Sequence, residues 1–85
     1  MADTVATVGL VQRVAASTDF TCAWIGPTPT DAELLIVTHD GTAPDIALAA
    51  SLTQMLSGAA TNYREVRALH ASDDAKILTL QIDPV

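Results

Sequence analysis

Eighty-five residues with a single cysteine, Cys22, make one small domain in which no internal disulfide can form. Ten acids against four bases (Arg13, Arg64, Arg67 and Lys76) leave a net charge of −6, which favours solubility and repels phosphate backbones. No segment approaches the roughly 20 apolar residues of a membrane-spanning helix, and no Cys/His cluster has the spacing of a metal site.

Chains this short bury little surface and usually need a staple: a disulfide, a metal or a partner subunit. Only the last remains here. Although 49% of the residues are hydrophobic, many are Ala and Val, and Phe20, Trp24 and Tyr63 are the only aromatics. The core is therefore expected to be small, with association as the outlet for surplus apolar surface. Met1-Ala2-Asp3-Thr4 shows neither the basic start nor the apolar run of a secretory signal, so the expected location is the cytoplasm. Export without a signal peptide leaves no trace in a sequence.

The first strand-like run covers about residues 5–15. Val8, Leu10, Gln12 and Val14 alternate with Thr7, Gly9, Val11 and Arg13. Gly9 inside the run points to a bulge or a close backbone approach. Ser17-Thr18-Asp19 reads as a turn. The second run, residues 20–25, sets Phe20, Cys22 and Trp24 against Thr21, Ala23 and Ile25. Gly26-Pro27, with Pro29 soon after, is expected to take the chain out of the sheet. The third run, residues 33–38, is apolar on both faces through Leu34-Leu35-Ile36-Val37, the pattern of a central or doubly covered strand.

After Asp40-Gly41, Thr42 is a suitable helix N-cap with Asp45 three residues on, as in a capping box. Asp45 also lies where the helix dipole favours an anion, and Pro44 in the first turn needs no intrahelical N–H partner. The predicted helix, residues 43–62, carries Leu48, Leu52, Met55, Leu56 and Ala59 as its apolar stripe. It has no ionised side chain after Asp45. Its polar positions are Ser51, Gln54, Ser57, Thr61 and Asn62, where a lone surface helix normally shows charge. Ser51, Gln54, Met55, Ser57 and Thr61 are therefore the expected oligomer-interface residues. A fourth run, residues 63–71, alternates Val66, Ala68 and His70 with Glu65, Arg67 and Leu69. Ser72-Asp73-Asp74 is a hairpin loop. A fifth run, residues 76–82, sets Leu78, Leu80 and Ile82 against Ile77, Thr79 and Gln81.

The order β-β-β-α-β-β predicts a β-rich α+β fold: a small five-stranded antiparallel OB-like barrel, partly open, with the helix as its plug. The alternative is an open antiparallel sheet with the helix on one face. Residues 46–82 give a helix of about five turns, a basic-flanked strand (Arg64-Glu65-Val66-Arg67), a short acidic loop (Asp73-Asp74) and a final apolar strand from Ile77. This pattern resembles the second half of the OB-type B subunits of bacterial toxins, the cholera-toxin-like rings. The resemblance implies a glycan-binding homopentamer with helices lining a central pore. No functional residue of that family matches by position, and the secreted, disulfide-bonded character of such subunits has no counterpart here.

No catalytic signature appears. Ser17, His39 and Asp40 are the residue types of a hydrolytic triad, with nothing in their spacing to orient them. His39 and His70 near Asp73 and Asp74 are too few for a metal, and the simpler expectation is solvated or capping histidines at strand ends. Two adjacent acids also fall short of the oxygens calcium wants. Cys22, between Phe20 and Trp24, is expected to be a buried apolar thiol with no base to activate it. Four scattered bases and no aromatic ladder exclude a single-strand nucleic-acid groove. Trp24, Gly26, Thr28 and Thr30 form the candidate ligand site, an aromatic beside loop hydroxyls as a sugar or peptide platform requires. The competing role for Trp24 is a packing anchor. The functional expectation is a non-enzymatic homo-oligomeric module that binds a glycan or protein and needs no cofactor. Its alternative is a structural adaptor whose helix packs on a different protein.

Overall fold

The computed structural model describes residues 3–17 and 20–82. Thr18 and Asp19 of the expected turn, and Met1 and Ala2, lie outside the described residues. Five strands and one helix follow in the order β1 (Thr4–Ala16), β2 (Thr21–Thr28), β3 (Asp31–Val37), α1 (Ala43–Thr61), β4 (Glu65–Ala71) and β5 (Ile77–Ile82). They form one antiparallel sheet in the order β3-β2-β1-β4-β5.

β1 organises the fold because it changes partner midway. Thr4 to Leu10 pair with β4, and Leu10 to Ala16 pair with β2. Each half of β1 thus carries one hairpin, and the two hairpins share the core. The outer strands β3 and β5 meet at a single parallel bridge, Ile36 with Lys76, where the Ile36 N–H donates to the Ala75 carbonyl at 2.8 Å. Among the described residues no ladder continues from that bridge, and the barrel is not closed.

The partner change depends on close backbone contact. A Cβ on Gly9 would sit 2.7 Å from the Gly26 Cα, and one on Gly26 would sit 2.7 Å from the Ala32 Cα. Side-chain-free positions let β1, β2 and β3 stack there. Gly9 is therefore a close approach, and the bulge falls farther on, between Val11 and Arg13. Gln12 is the extra residue, and its amide donates to the Gly26 carbonyl at 2.8 Å. The bulge breaks the expected alternation. Gly9 and Val11 are buried and Val8 is exposed, and beyond Gln12 it is Val14 that packs on the core. A second irregularity between Leu69 and His70 does the same to β5, because Thr79 pairs with Leu69 while Ile77 pairs with His70. Leu78 is left over and exposed, and Ile77, Leu80 and Ile82 face the core instead of Leu78, Leu80 and Ile82.

Other expectations need correction. The chain does not leave the sheet at Gly26-Pro27: β2 continues through Thr28, and its pairing with β3 slips between Ile25 and Thr28. β3 is an outer strand, not a central one. Its inner side chains Leu35 and Val37 are buried, while Leu34 is exposed opposite Trp24 and Ile36 lies half-buried opposite Cys22. Those pairings make a small apolar outer surface, which explains the doubly apolar pattern. Cys22 lies half-buried on that surface and is not a core thiol.

The helix packs Leu52, Leu56 and Ala59 on the core, with Met55, Ala49 and Ala60 beside them. Leu48 is not part of that stripe; like Ile46 it is exposed. The capping box does not form. Thr42 makes no side-chain cap bond, because its hydroxyl donates to the Asp40 carboxylate at 2.6 Å. The Asp45 carboxylate instead accepts the Asp40 N–H at 2.8 Å. Acid and helix N-terminus still adjoin, as the dipole favours.

Candidate functional site

Trp24 lies half-buried on the outer face of β2, opposite Arg13 of β1 and Leu34 of β3. The Arg13 guanidinium stands 5.2 Å from the Trp24 ring centroid, within cation–π range. Gln12, Arg13, Trp24 and Pro29 line a shallow recess of about 300 Å³. The Gln12 bulge decides this grouping, because the register it sets places Arg13 opposite Trp24. Of the other predicted ligand residues, Gly26 is buried at the backbone crossing. The Thr28 hydroxyl accepts the Asp31 N–H at 3.0 Å and lies 3.4 Å from the Thr30 hydroxyl, so both threonines belong to the β2–β3 turn. The structure therefore assembles the recess from Trp24 and Pro29 of the segment singled out in the sequence, together with Gln12 and Arg13 of β1, which the sequence pattern did not single out.

Along the helix, Ser51, Gln54, Ser57 and Thr61 are exposed, whereas Met55 is half-buried against the core. Ile46 and Leu48 are 45% and 47% exposed and extend this uncharged face toward the helix start. Beside it, a groove of about 380 Å³ runs between the helix and the ends of β2 and β3, with Phe20, Val37, Ile46 and Ala50 among its walls.

Ser17 and His39 also line that groove, but the triad does not assemble. The Ser17 hydroxyl donates to the Phe20 carbonyl at 3.1 Å, and His39 Nδ1 accepts the Gly41 N–H at 3.1 Å. Asp40 faces Thr42, whose hydroxyl and then N–H hold its carboxyl below the ordinary aspartate range.

His70 differs most from expectation. It is 4% exposed, not a solvated strand-end histidine. Its inward position on β4, in phase with Val66 and Ala68, buries it. Nε2 lies 2.9 Å from the Thr7 hydroxyl, which donates to the Glu33 carboxylate at 2.6 Å. Thr7 shares the inward phase of Gly9 and Val11, and Glu33 that of Leu35, so strand parity was the available signal. The two histidines do not converge, and Asp74 accepts the Lys76 N–H at 3.1 Å. Among the described residues, no three His, Cys, Asp or Glu side chains gather as a metal would require. None of their helices is long and apolar enough to cross a membrane.

Comparison with protein-family models, with curated proteins and with solved structures finds no match.

Proposed function

We propose that this chain is a non-enzymatic module that self-associates through its helix, built on an OB-like barrel subunit. The observation that carries the reading is the outer helix face. From Ile46 to Asn62 it bears no charge, and it leaves Ile46 and Leu48 nearly half exposed beside Ser51, Gln54 and Ser57. Water favours charge on such a face, whereas contact with another copy favours small and apolar residues. The barrel reading is supported by the sharing of β1 between two hairpins and by the parallel contact of β3 with β5. The Trp24 recess is the proposed contact for a glycan or peptide, with the ring as platform and the Gln12 and Arg13 donors at its rim.

Light scattering at low micromolar concentration tests the association. The native chain should run as a multiple of 8.8 kDa, and a double substitution Ile46→Glu, Leu48→Glu should return it to a folded monomer. A native monomer at that concentration refutes self-association and leaves the face to a different protein.

A further inference from the structure

The ring nitrogens of His70 meet unlike partners. Nδ1 is 2.9 Å from the Ala71 carbonyl oxygen and 3.0 Å from that of Asp74. Carbonyl oxygens only accept, so Nδ1 carries a proton. Nε2 is 2.9 Å from Thr7 Oγ1, and the same hydroxyl is 2.6 Å from Glu33 Oε2. A hydroxyl has one proton to give. If Thr7 gives it to Glu33, Nε2 must donate to Thr7, and the ring is doubly protonated. If Thr7 gives it to Nε2, the Glu33 carboxyl must itself be protonated to donate to Thr7. Either arrangement holds one proton more than an ionised carboxylate beside a neutral imidazole.

We propose that Glu33, Thr7 and His70 form a one-proton clasp that ties the two hairpins together through β1 and makes the fold sensitive to pH. Glu33 belongs to the β2–β3 hairpin, His70 to β4–β5, and Thr7 to the strand both hairpins share. With the proton bound, every contact in the chain has a hydrogen. When it leaves, two acceptors face each other at one link and that link breaks. The Glu33 side chain is 54% exposed and the His70 side chain 5%, so the proton exchanges with water at the Glu33 end without unfolding. β1 presents Thr7 to the ring and β3 presents Glu33. β5 opposes His70 with Ile77, and the β4–β5 turn offers the Asp74 carbonyl while the Asp74 carboxylate faces the Lys76 N–H.

The test is thermal denaturation between about pH 5.5 and about pH 8.5, the interval in which histidine pairs ordinarily exchange protons. The native chain should lose roughly 5 °C in Tm across it, the size expected for one intramolecular hydrogen bond in a domain of this length. Glu33→Gln supplies a permanent donor to Thr7, which then donates to a neutral ring. Its Tm should stay level over the same interval, while His39→Gln should keep the native slope. A level native curve, or a Glu33→Gln curve that falls in parallel with the native one, overturns the proposal. Imidazole nitrogen and carboxyl carbon NMR on the native chain gives an independent reading. At the lower pH either Nε2 or the Glu33 carboxyl must be protonated. A singly protonated ring beside an ionised Glu33 at that pH also overturns it.

Discussion

Substituting Gly26 by alanine strikes the point where β1, β2 and β3 cross. The added methyl would fall inside the van der Waals shell of the Asp31 carbonyl oxygen and 2.7 Å from the Ala32 Cα. Both are backbone atoms, so no side chain can rotate away. The strands must separate by about an ångström, against the Gln12 bond to the Gly26 carbonyl and the Thr28 bond that closes the β2–β3 turn. Overpacking usually costs about 1–3 kcal/mol, and a backbone clash belongs at or above the upper end of that range. Total stability for a chain of this length is roughly 4–13 kcal/mol, so a loss of about 3 kcal/mol is severe. It should lower Tm by roughly 15 °C. Urea unfolding followed by Trp24 fluorescence and by circular dichroism measures the loss. Gly58→Ala is the matched control, because a Cβ there meets nothing within 4 Å and the position is an exposed helix interior. It should gain about 0.5–1 kcal/mol. If Gly26→Ala costs less than about 1 kcal/mol, within the usual range for mild surface changes, the crossing does not constrain the fold.

Leu56 is fully buried between the helix and the sheet, so Leu56→Ala should cost about 2–5 kcal/mol in urea unfolding. Leu48→Ala, at an exposed position, should cost well under about 1 kcal/mol in the same assay when the chain is monomeric. Asp40 is held below its ordinary value near 3.8 first by the Thr42 hydroxyl and then by the Thr42 N–H. Because the folded value is the lower one, its contribution to stability is present above the ordinary value and disappears as pH falls through the folded one. Thr42→Val should therefore raise the Asp40 midpoint in a carboxyl NMR titration, and an unchanged midpoint refutes that cause.

Much of the architecture was legible in local pattern. Alternation in β4, the turn residues at Asp40-Gly41 and Ser72-Asp73-Asp74, and the 3.6-residue recurrence of Leu52, Leu56 and Ala59 are short-range signals. They fixed five strands and one helix in the observed order, with Val66, Ala68 and His70 on one face. The small aromatic content and the absence of charge along the helix after Asp45 were equally plain before folding was considered.

Tertiary structure decided which face of each strand points inward where a bulge intervenes. Gln12 and Leu78 are each one residue too many for the partner strand, and the surplus appears only once the partners are aligned. Past each bulge the parity of the pattern reverses, so the inward series runs Gly9, Val11 and then Val14 in β1, and Ile77 and then Leu80 in β5, with Leu78 left exposed between them. The same alignment created the recess beside Trp24 and the Thr7–Glu33–His70 chain, whose members lie 26 and 63 residues apart in sequence. Periodicity records how a side chain relates to its own strand. It carries no information about which distant strand will face it, and that pairing alone determined the sites.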